Sequence, residues 1–191
     1  MTARRYDSLD HLHEAMRTCV ACDLAASRTQ VVPGSGPADA DVMLLGEAPG
    51  AREDMGGAPF VGAAGRLLDA ILEEVGVERS RLYIANTVAC RPPSNRNPRA
   101  REMRAHAPWL EEQLRLVAPR VVVTLGRVPL IYFVPGAKIT QEHGRVRPVE
   151  RGEVAFQLLP SYHPAAALRR RTELLPVLRE DLGRLPALLE G

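Results

Sequence analysis

Short apolar runs alternate with helical patterns along most of the chain. Each run has four to seven residues and is rich in Val, Ile or Leu, as expected for strands buried on both faces. The runs are 42–45, 82–88, 121–125 and 154–159. Apolar residues with helical spacing fill the segments 65–75, 101–117 and 128–133. This order predicts an α/β protein with a mostly parallel sheet covered by helices on both faces.

The two ends of the chain are predicted to be helical. Residues 8–25 have a helical pattern that is interrupted near two cysteines. Residues 172–189 form a closing helix whose extent is limited by Pro176 and Pro186. No internal repeat, low-complexity tract or long linker divides the chain, so we expect residues 1–191 to form a single domain.

The composition is that of an ordinary globular protein. Of the 191 residues, 46% are hydrophobic and 25% are charged, which excludes a disordered or collagen-like chain. The longest apolar runs fall far short of the roughly 20 residues that span a bilayer. Charges also occupy the first residues, where a secretory signal needs an apolar stretch. We therefore expect no membrane segment and no export, and a reducing cytosol as the compartment.

Arginine dominates the basic residues. The net charge is only +2, but 24 of the 25 basic residues are Arg, and Lys138 is the single Lys. Five Arg lie between Arg91 and Arg104, where Glu102 is the only acid, and residues 169–171 are three more. Two local clusters on a nearly neutral protein fit a phosphate-bearing partner. A solvated surface in an Arg-rich sequence explains the same clusters equally well.

Three of the predicted strands run into polar segments. These segments are GEAPG (46–50), Asn86 with CRPPSNRNP (90–98), and SYHPAAALRRR (161–171). Because parallel strands present their carboxyl ends at one edge of the sheet, the segments are predicted to line one site. Glu47, Asn86 and His163 are its candidate chemical groups. A lone loop histidine is more often structural, but its company with the other two groups favours a functional role.

The glycine-rich stretch after the first strand contains neither common nucleotide-binding motif. GEAPG and GGAPFVGAAG (56–65) lack both the Gly-Lys-Ser/Thr of a P-loop and the G-x-G-x-x-G fingerprint. Phe60 lies in this stretch, directly after Pro59. Its ring could stack on a planar base, while small neighbours expose backbone groups to the edge of that base. A position in the core is the alternative for Phe60.

Cysteine is scarce and unevenly spaced. Cys19 and Cys22 form a C-x2-C pair and Cys90 follows far downstream, an odd number that a disulfide framework would not give. His106, beyond the basic loop, supplies a fourth candidate ligand. Three thiolates and one imidazole suit a structural zinc or an iron-sulfur cluster. Three free buried thiols are the alternative.

Five ordered motifs make the chain similar to a known family. They are C-x2-C, GEAPG, GGAPFVGAAGRLLD, NTVACRPPSNRNP and HPAAALR. Over nearly its whole length the sequence resembles the iron-sulfur uracil-DNA glycosylases, known as family 4. The resemblance implies a three-layer α/β/α fold with a central four-stranded parallel sheet, and a cluster held by four cysteines. It also implies a base excision repair enzyme that removes uracil from single- or double-stranded DNA and leaves an abasic site. We expect a monomer in a bacterial or archaeal cytosol.

The resemblance also implies roles for the candidate residues. Glu47 corresponds to a motif glutamate that supports a cationic sugar or orients water. Asn86 corresponds to the asparagine whose amide reads the edge of uracil, and Phe60 to the platform on which uracil stacks. His163 would donate a hydrogen bond to uracil O2 as negative charge builds on the leaving base.

Two small residues flank the glutamate in the same turn and complete the implied substrate site. They are Gly46 and Ala48. Ala48 stands where a better-known branch of the superfamily has an aspartate. A strong general base is therefore missing, and a dissociative path with weak activation of water is expected.

The implied DNA contacts include one departure from the family pattern. Ala167 stands where a leucine often fills the hole left by the extruded base, and Leu168 is the next residue. We expect Leu168 to serve in its place. The expected phosphate contacts come from arginines in both basic clusters, namely Arg91, Arg96, Arg169 and Arg170.

A second departure concerns the cluster, because His106 stands where the family has its fourth cysteine. The hypothesis is a 4Fe-4S cluster held by Cys19, Cys22, Cys90 and His106. Imidazole ligation of iron-sulfur clusters has precedent. The cluster would pin the basic loop 91–105 for contact with DNA. The alternatives are an incomplete, labile cluster and another metal such as zinc.

Two further functions stay open at this point. A uracil-DNA binder or trap would form a tight or covalent complex instead of turning over, with His106 as the unusual loop histidine. A small electron-transfer or zinc-stabilised nucleic-acid module would leave the site residues with structural roles only.

Overall fold

The computed structural model describes residues 5–190 and contains a five-stranded mixed sheet. Its strands are β1 (Val42–Gly46), β2 (Leu82–Asn86), β3 (Val121–Leu125), β4 (Arg147–Arg151) and β5 (Val154–Ser161). Their order across the sheet is β2-β1-β3-β5-β4. β1 pairs in parallel with β2 and β3, and β3 pairs in parallel with β5. Only β4 is antiparallel, paired with β5 at the edge of the sheet.

The four predicted strands are confirmed, and they are the parallel ones. The expected central sheet of four parallel strands is confirmed, and β4 adds a fifth, antiparallel strand at its edge that the sequence did not predict. β4 has the sequence RPVER, and its residues are part-buried and exposed in alternation. It therefore lacks the continuous apolar run that marks a strand buried on both faces.

Helices cover both faces of the sheet. Within residues 5–190 they are α1 (Leu9–Arg17), α2 (Ala51–Gly56), α3 (Ala63–Glu74), α4 (Ala100–Val117), α5 (Arg127–Phe133), α6 (Ile139–Glu142), α7 (Pro164–Arg169), α8 (Arg171–Leu182) and α9 (Leu185–Glu190). Short 3-10 turns occur at Asp23–Ala26, Arg79–Arg81 and Pro93–Asn95. None of the helices in this part of the chain is long and apolar enough to cross a membrane.

The helical predictions are confirmed, with one difference near the end of the chain. α3, α4 and α5 begin and end within two residues of the predicted segments, and α1 ends before the cysteines as expected. The expected limit at Pro176 is wrong, since Pro176 lies inside α8 and the chain instead breaks at Gly183. Proline removes one helical hydrogen bond. Buried leucines such as Leu178 and Leu182 anchor α8 in the core and offset that loss.

Two apolar layers hold the helices against the sheet. Alternate residues of β1 point to opposite faces, so that Met43 and Leu45 join one layer, and Val42 and Leu44 join the other. The first layer includes buried residues of α1 and α4, and the second includes buried residues of α3 and α8. This is the expected three-layer α/β/α arrangement, and it leaves the carboxyl ends of the parallel strands free to carry a site.

Candidate active site

The carboxyl ends of β1 and β2 carry the first site residues side by side. Gly46 is the register partner of Asn86, and the backbone N–H of Thr87 donates to the Gly46 carbonyl at 2.9 Å. A Cβ atom at Gly46 would lie 2.4 Å from Asn86 Oδ1 and 2.8 Å from the Phe60 ring. Real Cβ atoms do not approach so closely. Glycine at position 46 therefore lets the amide and the ring meet over the end of β1.

A cavity of about 350 Å³ opens at this edge of the sheet. Its size is that of a small-molecule site. The sequence-predicted residues that line it are Glu47, Ala48, Phe60, Asn86, Arg96, His163 and Arg169. Gly46 lies next to the cavity, against two of these residues. The structure thus brings the three predicted segments together around one cavity.

Phe60 and His163 form one wall of the cavity. Their rings stack with centroids 5.6 Å apart and planes inclined by 25°. Phe60 has a φ of 55°, a left-handed conformation that is rare for a bulky residue. Arg79 stabilises this conformation by donating to the Pro59 carbonyl at 3.0 Å. Phe60 is only 7% exposed, so its ring belongs to the apolar core and also lines the cavity.

His163 is held as a neutral hydrogen-bond donor. The backbone N–H of Ala165 donates to His163 Nδ1 at 3.0 Å. Because a backbone N–H can only donate, Nδ1 is unprotonated and Nε2 carries the ring proton. Burial and, to a lesser extent, the Arg169 cation lower the pKa of His163 to about 4, against the opposing effect of Glu53. His163 therefore offers an N–H group to a ligand without carrying a positive charge near pH 7.

Glu47 is the first residue after β1 and is part-buried in the cavity wall. Burial raises the pKa of its carboxyl group, and the Arg127 guanidinium opposes that shift. Arg127 begins α5, one residue after the end of β3, and no sequence motif marks it. An ionised Glu47 in this setting favours positive charge on a bound group.

Glu53 of α2 lines the cavity and was also missed. Its Oε1 accepts the backbone N–H of Gly62 at 2.8 Å, which ties α2 to the loop that carries Phe60. The next residue, Asp54, is 2% exposed and accepts two hydrogen bonds from Thr29, at 2.9 and 2.7 Å. An acidic pair soon after the GEAPG turn was the available signal, but its contacts depend on tertiary structure.

Two of the four arginines predicted to contact DNA line the cavity. Arg169 does so from the end of α7. Arg96 does so while its two terminal nitrogens donate to the carboxylate of Glu102, at 2.8 and 2.6 Å. Glu102 is fully buried and also accepts the backbone N–H of Arg99 at 2.7 Å. These bonds fix the Arg96 guanidinium at the cavity wall and hold the pKa of Glu102 at about 2.

The other predicted DNA-contact residues lie outside the cavity lining. Arg91 donates to Asn95 Oδ1 at 2.8 Å. Arg170 forms an ion pair with Glu173 on the surface. Leu168 is 42% exposed and lies next to Arg169.

The loop after α1, which carries Cys19 and Cys22, lies near Cys90 and near His106 of α4. Cys22 Sγ lies 3.6 Å from His106 Nε2. Arg28 joins the other two cysteines, because one of its nitrogens donates to Cys90 Sγ at 3.4 Å and the other to the Cys19 carbonyl at 2.5 Å. Within residues 5–190, no set of three or more His, Cys, Asp or Glu side chains is arranged to hold a metal ion.

Each cysteine sulfur faces one N–H group. Trp109 Nε1 donates to Cys19 Sγ at 3.3 Å, Arg28 donates to Cys90, and His106 Nε2 approaches Cys22. Burial raises the pKa of Cys90 to about 11, and Arg28 opposes that shift. Hydrogen bonds to sulfur are a common feature of thiolate-bound metal centres. The donor chemistry of three sulfurs, each beside one N–H group, is that of an iron-sulfur or zinc centre, although these side chains are not arranged around a single ion.

His106 differs from the sulfurs in its surroundings. It is 2% exposed, and burial lowers its pKa to about 4. The backbone N–H of Ala89 donates to His106 Nδ1 at 3.1 Å. His106 does not line the cavity. Its burial and position therefore give no support to a role as the nucleophile of a DNA trap.

Comparison with known proteins shows which family this chain is similar to. The family model described as Uracil DNA glycosylase superfamily matches residues 33–182. A type-4 uracil-DNA glycosylase of Sulfurisphaera tokodaii is 40% identical over 94% of this chain and 84% of its own length. The type-4 enzyme of Archaeoglobus fulgidus is 39% identical over 92% and 88% of the two chains. That of Thermotoga maritima is 37% identical over 97% of each.

The fold, the cavity at the strand ends and the matched residues define a protein of the uracil-DNA glycosylase superfamily. Within that superfamily, the chain belongs to the type-4 family.

Proposed function

We propose that this protein removes uracil from DNA by hydrolysing its N-glycosidic bond, leaving an abasic site as the first step of base excision repair. The type-4 relatives, which match nearly the whole chain, carry the name of this activity. The observation that carries the proposal to individual residues is the single cavity lined by Glu47, Phe60, Asn86 and His163. The enzyme acts as a monomeric single domain on DNA in the cytosol.

Uracil is recognised by stacking and by its hydrogen-bonding edge. An extruded base would lie against the exposed part of the Phe60 ring. The Asn86 amide has one acceptor and one N–H₂ donor, which match the N3–H donor and O4 acceptor of uracil. Cytosine has the opposite pattern at these two positions. The pair of Phe60 and Asn86 therefore selects both a planar base and its edge.

Base release is assisted by groups that stabilise separated charge. As the bond breaks, negative charge develops on uracil and positive charge on the sugar. His163 Nε2–H donates toward uracil O2, and its neutral state avoids the cost of placing a cation in the buried wall. Glu47 stabilises the cationic sugar and orients the attacking water. With Ala48 as the next residue, no second carboxylate is available in this turn to act as a strong base.

DNA is held by groups around the mouth of the cavity. Arg96 and Arg169 lie at the cavity wall, where phosphates next to the extruded nucleotide would pass. Leu168 presents an apolar side chain beside Arg169 and would fill the gap in the base stack. Arg91 and Arg170 lie outside the cavity lining and each has an acidic partner, Asp54 at 4.0 Å and Glu173. They would contact phosphates further along the strand by exchanging those partners for phosphate oxygens.

The three cysteines are proposed to hold an iron-sulfur cluster of the 4Fe-4S type, with zinc as the alternative. The N–H groups of Trp109 and Arg28 at two of the sulfurs support thiolate ligands. When bound, the cluster would supply covalent iron–thiolate links rather than chemistry on uracil. These links would join Cys19 and Cys22 to Cys90, which begins the basic segment leading to Arg96. The role is therefore to fix that segment for contact with DNA.

The activity is tested with uracil-containing oligonucleotides, single-stranded and duplex, beside matched thymine and cytosine oligonucleotides. Alkali should cleave only the uracil substrates, and a denaturing protein gel should show no protein-DNA adduct. Asn86→Asp should lower uracil release about 10²-fold because the reading group is replaced. Gln157→Glu makes the same amide-to-carboxyl change at an exposed position and should retain wild-type activity. No release by the folded, cluster-loaded protein would refute the proposal, and a stable adduct would favour a trap.

A further inference from the structure

The hydrogen bonds of His106 fix the position of its ring proton. Ala89 N–H donates to His106 Nδ1 at 3.1 Å, so the lone pair of Nδ1 is already used. A neutral imidazole has one protonated and one unprotonated nitrogen, so Nε2 carries the proton. Nε2 is the atom that lies 3.6 Å from Cys22 Sγ. A protonated ring nitrogen has no lone pair to offer to iron.

The alternative ring orientation is unfavourable. Turning the ring by 180° would place carbon atoms where Nδ1 and Nε2 now lie. The N–H of Ala89 would then lose its acceptor, and both Ala89 and His106 are almost fully buried, at 5% and 2% exposure. Leaving a buried N–H without a partner costs roughly 1–3 kcal/mol. The backbone around Cys90 therefore selects the tautomer that presents N–H to Cys22.

The other two sulfurs have the same arrangement with different side chains. Trp109 Nε1 can only donate, and it faces Cys19 Sγ at 3.3 Å. The Arg28 guanidinium can only donate, and it faces Cys90 Sγ at 3.4 Å. His106 completes the series as the donor to Cys22. Three thiolates each with one N–H group form a consistent outer layer for a metal centre.

We infer that His106 is a hydrogen-bond donor to the Cys22 sulfur, and that this chain holds its cluster by three cysteines, leaving one iron without a protein ligand. This inference rests on the proposed cluster and replaces the imidazole ligand expected from the sequence. It is independent of the proposed excision of uracil, which uses the cavity.

A 4Fe-4S cluster held by three thiolates loses one iron readily when it is oxidised. A one-electron oxidant such as ferricyanide takes an electron from the 2+ core and gives a 3+ core. The iron without a protein ligand then leaves as Fe²⁺, and a 3Fe-4S core of charge 1+ remains. Electrons and charge balance, since the 3+ core divides into 1+ and 2+. The oxidised product has an unpaired spin that electron paramagnetic resonance detects.

The first experiment compares wild type with two variants, all purified and reconstituted without oxygen. Ferricyanide should convert wild type to the 3Fe-4S form with release of one iron per cluster. His106→Gln retains an N–H donor and should behave like wild type in iron content and conversion. His106→Cys supplies a fourth thiolate and should retain all four irons. Resistance of wild type to conversion, or loss of the cluster in a folded His106→Gln protein, would contradict the inference.

The second experiment uses wild type alone, so it does not depend on the folding of a variant. The protein is labelled with ¹⁵N-histidine, its cluster is reduced, and the hyperfine coupling of histidine nitrogen is measured. Only the weak coupling of a hydrogen-bonded ring is expected, and a strong coupling from a bound nitrogen would overturn the inference. Absence of iron and sulfide after reconstitution would also overturn it. Uracil release is measured with the same preparations and tests the proposed glycosylase activity separately.

Discussion

Gly46→Ala is a sharp test of the site geometry because it adds one methyl group between Asn86 and Phe60. The new Cβ would lie 2.4 Å from Asn86 Oδ1 and 2.8 Å from the Phe60 ring. Ordinary contacts need more than 3 Å, so the amide and the ring must each move by roughly 1 Å. A displacement of that size in a positioning group can lower a rate by about 10²-fold. Overpacking should also reduce stability by about 1–3 kcal/mol.

Single-turnover release of uracil from a single-stranded oligonucleotide measures the effect, with thermal unfolding followed in parallel. Gly56→Ala is the matched control. Its Cβ would meet only Val61 Cγ2, at an ordinary 3.9 Å, so activity should stay at the wild-type level. A folded Gly46→Ala protein with wild-type rates would refute the reasoning, because the amide and ring would then not be positioned by contact at residue 46.

Three other predictions concern charge and the DNA contact. His163→Ala should lower uracil release about 10²- to 10³-fold by removing a donor to the developing anion. In wild type the pKa of His163 is about 4, so the pH–rate profile should show no loss from this group between pH 8 and 5, and a fall below about 4. Glu102→Gln should cost about 2 kcal/mol in urea unfolding at pH 7, less than a fully buried ion pair because Arg96 is part-exposed. The pKa of Glu102 is depressed to about 2, so its stabilisation is present above its unfolded pKa, roughly 4.3, and is lost as the pH falls toward 2. The difference between wild type and variant should therefore shrink in acid. Leu168→Ala should slow excision from duplex DNA more than from single strands, and equal effects on both would contradict its role as a wedge.

Much of the fold follows from the sequence because the buried strands have a simple pattern. β1, β2 and β3 are buried on both faces along their whole length, so each consists mainly of a continuous apolar run. β5 alternates buried and exposed residues at its start and is fully buried only in its second half, but its Val, Phe and Leu residues still mark it as a strand. β4 is an edge strand whose exposed residues are Pro148 and Glu150. Because proline is typical of loops and strand edges, no local signal distinguishes β4 from a loop. The helix break at Gly183 rather than at Pro176 depended on leucine packing that no local rule describes.

Some of the site residues could be predicted from local sequence, and others depend on tertiary contacts. Glu47, Asn86 and His163 were predictable since each follows a strand, and parallel strands end at one edge. The hydrogen bond from Gly62 to Glu53 joins two segments, and the distance between them along the sequence does not indicate that they are in contact. The hydrogen bond from Ala89 to His106 likewise depends on the backbone path after β2. The sequence therefore predicts which groups lie at the strand ends, while the tautomers of the histidines and the ion pairs depend on tertiary contacts.

The bond between Arg96 and Glu102 has a consequence for the ionic-strength dependence of DNA binding. The guanidinium reaches the cavity already paired with a buried carboxylate, so the pair brings almost no net charge to a phosphate. Few condensed counterions would be displaced there, and Arg96 would act through the direction of its N–H groups. Arg169 has no ion-pair partner within residues 5–190 and would bring a full charge. At the mouth of the cavity, the Arg96 contact would thus orient DNA with little dependence on salt, and the Arg169 contact would attract DNA in a salt-dependent way. The Arg169 contact should contribute about 0.7–0.9 to the slope of log affinity against log salt.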